Sequence, residues 1–308
     1  MKKRGPILAA ILCLYAALIV SGYAADEGFS LSDEPGQYLD VLLDGRIAAR
    51  YMYAHDISTK ERLHETYKPY LHVFDVKGEK PITKGAGGKY THHRGMFIGW
   101  NKLGFGGKVY DRWHMKEGQI VHKEFLKKEA GKDQALLTSV THWNDENGEA
   151  VVREERTMVI RRAAAPFRLL IDFTAKLEVP KGDVMLDGDP EHAGIQYRPA
   201  DEVVVKETVY VFPKEGADPR KDLDLPWAAE TYTLDGKRHS VVHMNHPDNP
   251  KKTRYSAYRD YGRFGAFFKK EIKSGESLTV NYRFMIADGE MPPRETIQKG
   301  WEEFAGRK

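Results

Sequence analysis

"FRLLIDFTAKLEV", residues 167–179, decides the fold, because apolar and aromatic side chains recur at alternate positions. A strand with one buried face requires that period, and a helix cannot use it. The same reading extends to "ALLTSVTHW" (135–143), "ERTMVIRR" (155–162) and "SLTVNYRFMI" (277–286). Asp44-Gly45, Asn147-Gly148 and Asp235-Gly236 separate such runs, and each pair favours a two-residue hairpin turn. Short turns impose antiparallel pairing, since a parallel partner needs a crossover of about a dozen residues. One helix is predicted, at the C-terminus. In "PPRETIQKGWEEFA", Ile297, Trp301 and Phe304 recur at helical spacing behind Pro292-Pro293. The expected fold is all-β: a large antiparallel β-sandwich of the supersandwich kind with a short C-terminal helix, one domain over residues 26–308. A closed barrel is the alternative.

Lys2, Lys3 and Arg4 precede an apolar run from Ile7 to Val20 and small residues through Ala24 and Ala25. That order predicts a secretory signal peptide over residues 1–25, and the run is shorter than the ~20 residues a bilayer span needs. The expected destination is the periplasm or the extracellular space, with no stable membrane insertion after cleavage. Cleavage removes Cys13, the only cysteine, so the exported chain has no disulfide, thiolate nucleophile or Cys-ligated metal. It also removes three of the 48 Lys and Arg, which leaves them level with the 45 Asp and Glu. A net charge near zero takes away the electrostatic basis for nucleic-acid binding.

Three stretches concentrate polar chemistry. "HHRGMFIGWNK" (92–102) reads as a strand, with His93, Gly95, Phe97, Gly99 and Asn101 on one face. His92, Arg94, Met96, Ile98 and Trp100 fall on the other, so the adjacent histidines are not expected to share one metal ion. Gly95 and Gly99 mark places where a ligand or another backbone approaches closely. "DGDPEHAGIQYRPADEV" (187–203) reads as a turn followed by a strand, with His192, Gly194, Gln196 and Arg198 on one face. Burying such a face without partners is unfavourable, so it meets water, an ion-pair network or a polar ligand. "HMNHPDNPKKTRYSAYRDYGRFGAFF" (243–268) places Tyr255, Tyr258 and Tyr261 among Arg, Asp, Asn and His. Sugars are held that way: ring faces stack on aromatics, and hydroxyls need dense donors and acceptors.

Other chemistries find no motif. Gly88-Lys89 is followed by Tyr90, not the Ser or Thr of a phosphate loop. His64-Glu65 with His72 lacks zinc-protease spacing, and Pro69 would interrupt its helix. No Gly-x-Ser-x-Gly elbow occurs. "DRWH" (111–114) and "GQIVH" (118–122) add Asp111, Trp113, His114 and His122 to a chain of 12 histidines. A transition-metal site is thus open, but no strict spacing assigns a ligand or any other cofactor.

In this order behind a signal peptide, "HHRGMFIGWNK", "DPEHAGIQYRPADEV" and "YRDYGRFGAFF" resemble an uncharacterised family of secreted bacterial proteins of PmoA type. That label comes from a methane oxygenase subunit, whose several membrane-spanning helices this chain does not offer. The resemblance covers nearly all of the mature chain. It implies a place beside sugar-degrading enzymes and sugar oxidoreductases, and the broad sandwich of aldose mutarotases.

The functional expectation is a secreted carbohydrate-active enzyme, an isomerase, lyase or hydrolase working by general acid/base chemistry on a sugar or other small polar ligand. His93 and His192 are the acid/base candidates, with Asp260 or Glu191 as the carboxylate. Arg94, Arg198 and Arg263 would orient the substrate, and Trp100 or Tyr258 would stack on its ring. Gln196, His243 and Asn245 complete the binding set. A non-catalytic glycan-binding sandwich and a metal-dependent oxygenase are the alternatives.

Overall fold

The computed structural model describes residues 27–307, so the expected signal segment lies outside the described residues. Leu169–Glu178 is a strand in which every second side chain is buried. Leu169, Ile171, Phe173, Ala175 and Leu177 point into the core, and Leu170, Asp172, Thr174, Lys176 and Glu178 are half-buried on the outer face. It lies between Ala150–Arg162 and Ser277–Asp288, both antiparallel to it. On the outer face Asp172 bridges its two neighbours, accepting from Arg161 Nη1 at 2.5 Å and Arg283 Nε at 2.6 Å.

These strands are the middle of an eight-stranded sheet. Its order runs Val209–Val211, Trp227–Leu234, Lys237–Asn245, Ser277–Asp288, Leu169–Glu178, Ala150–Arg162, Gln134–Asn144 and Ile120–Ala130. A second eight-stranded sheet runs Phe29–Glu34, Tyr38–Leu43, Arg46–Met52, Tyr70–Val73, Met96–Trp100, Ala193–Tyr197, Phe264–Phe267 and Arg254–Tyr255. The two pack face to face over one large apolar cluster. Polar contacts inside the sandwich fix their register: the Tyr197 and Tyr232 hydroxyls meet at 2.7 Å, and Tyr51 Oη lies 3.2 Å from Ser139 Oγ. A small third sheet orders Lys270–Ile272, Val184–Asp187, Lys102–Phe105 and Lys108–Tyr110. The fold is therefore the large antiparallel sandwich, not a closed barrel.

Two of the three expected turns form as two-residue hairpins. Leu43 pairs with Arg46 across Asp44-Gly45, and Leu234 with Lys237 across Asp235-Gly236, each pair having positive φ at both residues. Asn147-Gly148 does not. There Asn144 pairs with Ala150, and residues 145–149 form a longer loop. The Asp145 carboxylate closes it by accepting from the Asn147 and Glu149 N–H groups, an Asx turn that outcompetes the tight hairpin.

The predicted helix is Arg294–Phe304. Ile297 and Trp301 bury against Trp227, Val242, Met244 and Met285 on the outer face of the first sheet described, and Trp301 Nε1 donates to the Asn245 carbonyl at 2.9 Å. Among the described residues no helix is long and apolar enough to cross a membrane. Ile297→Ala should lower the unfolding free energy by about 2–5 kcal/mol in urea denaturation, the range for a fully buried isoleucine. A loss under about 0.5 kcal/mol would show that the helix adds nothing to the core.

Candidate functional site

Sequence periodicity started two strands too early. The strands are Met96–Trp100 and Ala193–Tyr197, so His92, His93, Arg94 and His192 all precede them. The two strands are antiparallel, with Met96 opposite Tyr197 and Trp100 opposite Ala193. On a continuous strand His92 would thus sit at the end remote from His192. A turn prevents this: the His93 N–H donates to the Tyr90 carbonyl at 2.8 Å, with Tyr90 at φ 53°. It carries His92 back over the outer face of the sheet, where Gln196 Nε2 donates to the Arg94 carbonyl at 2.8 Å. The His92 and His192 rings consequently lie 6.0 Å apart.

A third histidine reaches the same place. A Cβ at Gly99 would collide with the Arg112 carbonyl oxygen, so only glycine lets the 111–118 segment cross the sheet there. At Gly95 the Leu71 carbonyl occupies the equivalent space. Both glycines answer to backbone. The crossing segment buries Trp113 against Phe97 and Tyr70 and delivers His114, whose ring is 4.3 Å from His92 and 5.2 Å from His192. Lys68, itself buried, holds the crossing from below: its Nζ donates to the Trp113 carbonyl at 2.6 Å and lies 3.6 Å from the Phe97 ring centre.

Two of the three rings are oriented by the same local device. His114 Nδ1 lies 2.8 Å from Asp111 Oδ2, while Asp111 Oδ1 accepts from the Trp113 and His114 N–H groups. His192 Nδ1 lies 2.9 Å from Asp189 Oδ1, which also accepts from the Glu191 N–H. With Nδ1 facing a carboxylate, Nε2 is left as the free ring nitrogen of each. Against burial, which opposes it, these hydrogen bonds hold the carboxyls of Asp111 and Asp189 below the usual range. His92 is brought down to about 3, by burial first and then by the charges of His114 and Lys68, so it is neutral near pH 7. Its Nε2 is buried without a partner among the described residues. One nitrogen from each of His92, His114 and His192 lies within 4.8 Å of the others, so these three could hold a metal ion.

Beside the cluster runs a tyrosine shelf. Tyr90 and Tyr261 rings are 4.9 Å apart, and His93 lies under both, at 5.4 and 6.1 Å. Glu191, next to His192, pairs with Arg259, whose Nε donates to it at 2.8 Å. Burial and the neighbouring Glu191 push the Tyr258 hydroxyl up to about 12, which leaves it a donor near neutrality.

The expected residues divide sharply. His192 and Glu191 are at the cluster, and Tyr258 is at its rim. His93 is 2% exposed, with Nδ1 unpartnered among the described residues, and burial, followed by the Arg263 charge, holds it neutral. Asp260 is exposed at a loop tip. Trp100 cannot stack on a ligand: it is fully buried against Trp143 and Phe268. His243 is likewise a core residue, stacked on Phe284 at 4.3 Å inside the sandwich. Asn245 bonds to Asn249 at 2.8 Å beside the C-terminal helix. Arg94 and Arg198 tie loops together, donating to the His64 carbonyl and to the Pro199 and Tyr261 carbonyls respectively. Arg263 differs. It is 1% exposed, and none of its three guanidinium nitrogens has a partner among the described residues.

Sequence reasoning missed His92 and His114 as partners of His192. One signal was available: "DRWH" and "DPEH" are the same Asp-x-x-His spacing, and both fold as the same carboxylate–imidazole turn. It also missed Glu230, wholly buried near Arg198 and Arg263, whose carboxyl burial pushes well above the usual range. A separate groove of about 720 Å³ is lined by Lys84, Asp201, Asp235, Lys237 and His239. It carries no tyrosine or tryptophan, and Lys84 is already committed to the Gly87 carbonyl and Asp201. The histidine cluster is the better candidate on chemistry.

The class defined by these observations is a large antiparallel sandwich with an aspartate-anchored histidine cluster on the outer face of one sheet. Within it, the chain belongs to a family of unknown function, DUF6807, whose model matches residues 38–302. No curated protein matches the chain. Solved structures similar to it include a heparan sulfate lyase HepC mutant from Pedobacter heparinus, at TM-score 0.45 and 10% identity, covering 86% of this chain and 37% of that one. Another is the Slr1438 protein from Synechocystis, at TM-score 0.41 and 9% identity, covering 86% and 98%. A galactose mutarotase-like protein from Lactobacillus casei gives TM-score 0.37 and 8% identity, covering 84% and 100%. The chain thus spans little more than a third of the lyase and nearly all of the other two. Likenesses at this level assign no side-chain role.

Proposed function

We propose that this protein is a secreted carbohydrate-active enzyme, an isomerase, lyase or hydrolase, working where the histidine cluster meets the tyrosine shelf. The observation that carries this reading is the pair of aspartate-oriented imidazoles, His114 and His192, linked through the rings of His92 and His93 to the paired rings of Tyr90 and Tyr261. Each imidazole has its Nδ1 held and its Nε2 free, the arrangement that suits proton transfer at a sugar carbon or ring oxygen. The tyrosine rings offer an apolar face for a pyranose, and Glu191, Arg259 and the Tyr258 hydroxyl offer hydrogen bonds to its hydroxyls.

The test is a panel of neutral and acidic mono- and disaccharides, assayed for product by chromatography and for binding by calorimetry. Turnover of a panel member is expected, and Tyr261→Ala should raise its KM about tenfold through loss of ring stacking. Binding without turnover would move the reading to a glycan-binding sandwich. A folded chain that neither binds nor converts any member would contradict it.

A further inference from the structure

We propose that His92, His114 and His192 form a site for one divalent transition-metal ion, with three imidazole ligands and an open face toward solvent. This goes beyond the sugar reading and does not depend on it. It does reassign the Nε2 atoms of His114 and His192 from proton transfer to metal ligation, so that in the metal-bound chain proton transfer to a sugar would fall to water held at the open position. The donor nitrogens come from three separate loops and lie within 4.8 Å of one another. Nitrogens bound at about 2.0–2.1 Å to a tetrahedral ion lie about 3.4 Å apart, so ring rotations on the order of 1 Å close the set.

Three features distinguish the cluster from a chance meeting of histidines. The first is convergent lone pairs. Nδ1 of His114 and of His192 faces a carboxylate, and a ring that donates there keeps an acceptor at Nε2. Neighbouring acceptors repel unless a cation or water protons lie between them. The second is charge. Asp111 and Asp189 sit behind two of the ligands and supply the two negative charges that balance a dication. Carboxylate–histidine–metal relays fix ring orientation in this way. The third is support from below, where Lys68 and the Gly99 crossing hold the Trp113–His114 backbone against the sheet.

The donor set also limits the ion. Three imidazoles with no thiolate suit zinc, iron, copper or nickel, and not magnesium or calcium, which take oxygen ligands. Three protein ligands leave a coordination position for water or substrate, the pattern of catalytic and not structural zinc. The ligand side chains of His114 and His192 are 27% and 34% exposed, so that position opens outward.

The experiment uses the full chain, stripped with a chelator and dialysed, then titrated with Zn(II) against a chromophoric competitor and with Co(II) in the visible. Expected are one equivalent of zinc and a Co(II) spectrum of low-symmetry nitrogen ligation. His114→Ala and His192→Ala should each abolish stoichiometric binding, and Asp111→Asn and Asp189→Asn should weaken it by about 10–100-fold. Circular dichroism of each variant reports folding, and the Co(II) bands of the unsubstituted chain report ligation without any variant. A folded chain that binds neither ion would overturn the proposal, as would binding that persists unchanged in both histidine variants. Sugar turnover is not read in this titration, so its outcome and that of the saccharide panel are independent.

Discussion

Glu154→Ala is expected to lower the unfolding free energy by about 3–5 kcal/mol, the range for uncovering a charge in the interior. Glu154 and Arg156 are 0% and 1% exposed. They face the same way, two residues apart on Ala150–Arg162, and join through two bonds, Nε to Oε1 at 2.7 Å and Nη2 to Oε2 at 2.9 Å. Thr141 Oγ1 and Trp143 Nε1 also donate to Oε2, so the carboxylate is saturated. Removing it leaves a buried guanidinium without its carboxylate, held by the Pro69 carbonyl at 3.3 Å and the Tyr51 hydroxyl. Pro69 follows Lys68, the prop beneath His114, so the loss should also loosen the site. The joint change Glu154→Leu with Arg156→Met is expected to recover most of the stability, because removing both charges avoids the unpaired one. Urea midpoints of the three chains measure this. A single-variant loss below about 1 kcal/mol would show that the pair is solvated.

His192→Ala is expected to reduce turnover of any saccharide the chain converts by about 10²–10⁴-fold, the usual contribution of a positioned proton-transfer group. His243→Leu, a change at another histidine singled out in the sequence, should leave turnover unaltered. The two differ in surroundings. His192 is partly exposed and oriented by Asp189, whereas both ring nitrogens of His243 are buried without a partner among the described residues. Burial brings His243 down to about 3, so it is a neutral core side chain near pH 7. An apolar replacement removes unsatisfied polar atoms, and stability should stay within about 1 kcal/mol of the parent or rise. Equal losses of activity in both variants would show that the site is not where the cluster places it.

The alternation in residues 167–179 was sufficient for the sheets because burial there repeats with the sequence period. Ile297 and Trp301 gave the helix for the same reason. The site was legible only in part. His192, Glu191 and Tyr258 were visible as polar residues near a strand mouth, but His92 depends on the Tyr90 turn and on the pairing of Met96 with Tyr197. No periodicity contains either. Trp100 and His243 misled because a tryptophan among polar neighbours and a histidine beside a turn look alike whether they face solvent or the sandwich interior. Arg94 and Arg198 misled for another reason: guanidinium groups that bind backbone carbonyls have the same sequence signature as those that bind ligands. The repeated Asp-x-x-His was the one local signal that could have joined His114 to His192.

The most direct test of the central claim is a long-range proton–nitrogen NMR spectrum of the histidine rings during titration with the saccharide panel. Shifts at His92, His114 and His192, with His243 and His239 unmoved, are predicted. Shifts confined to His239, in the groove lined by Lys84 and Asp201, would contradict it, as would no shift with any saccharide.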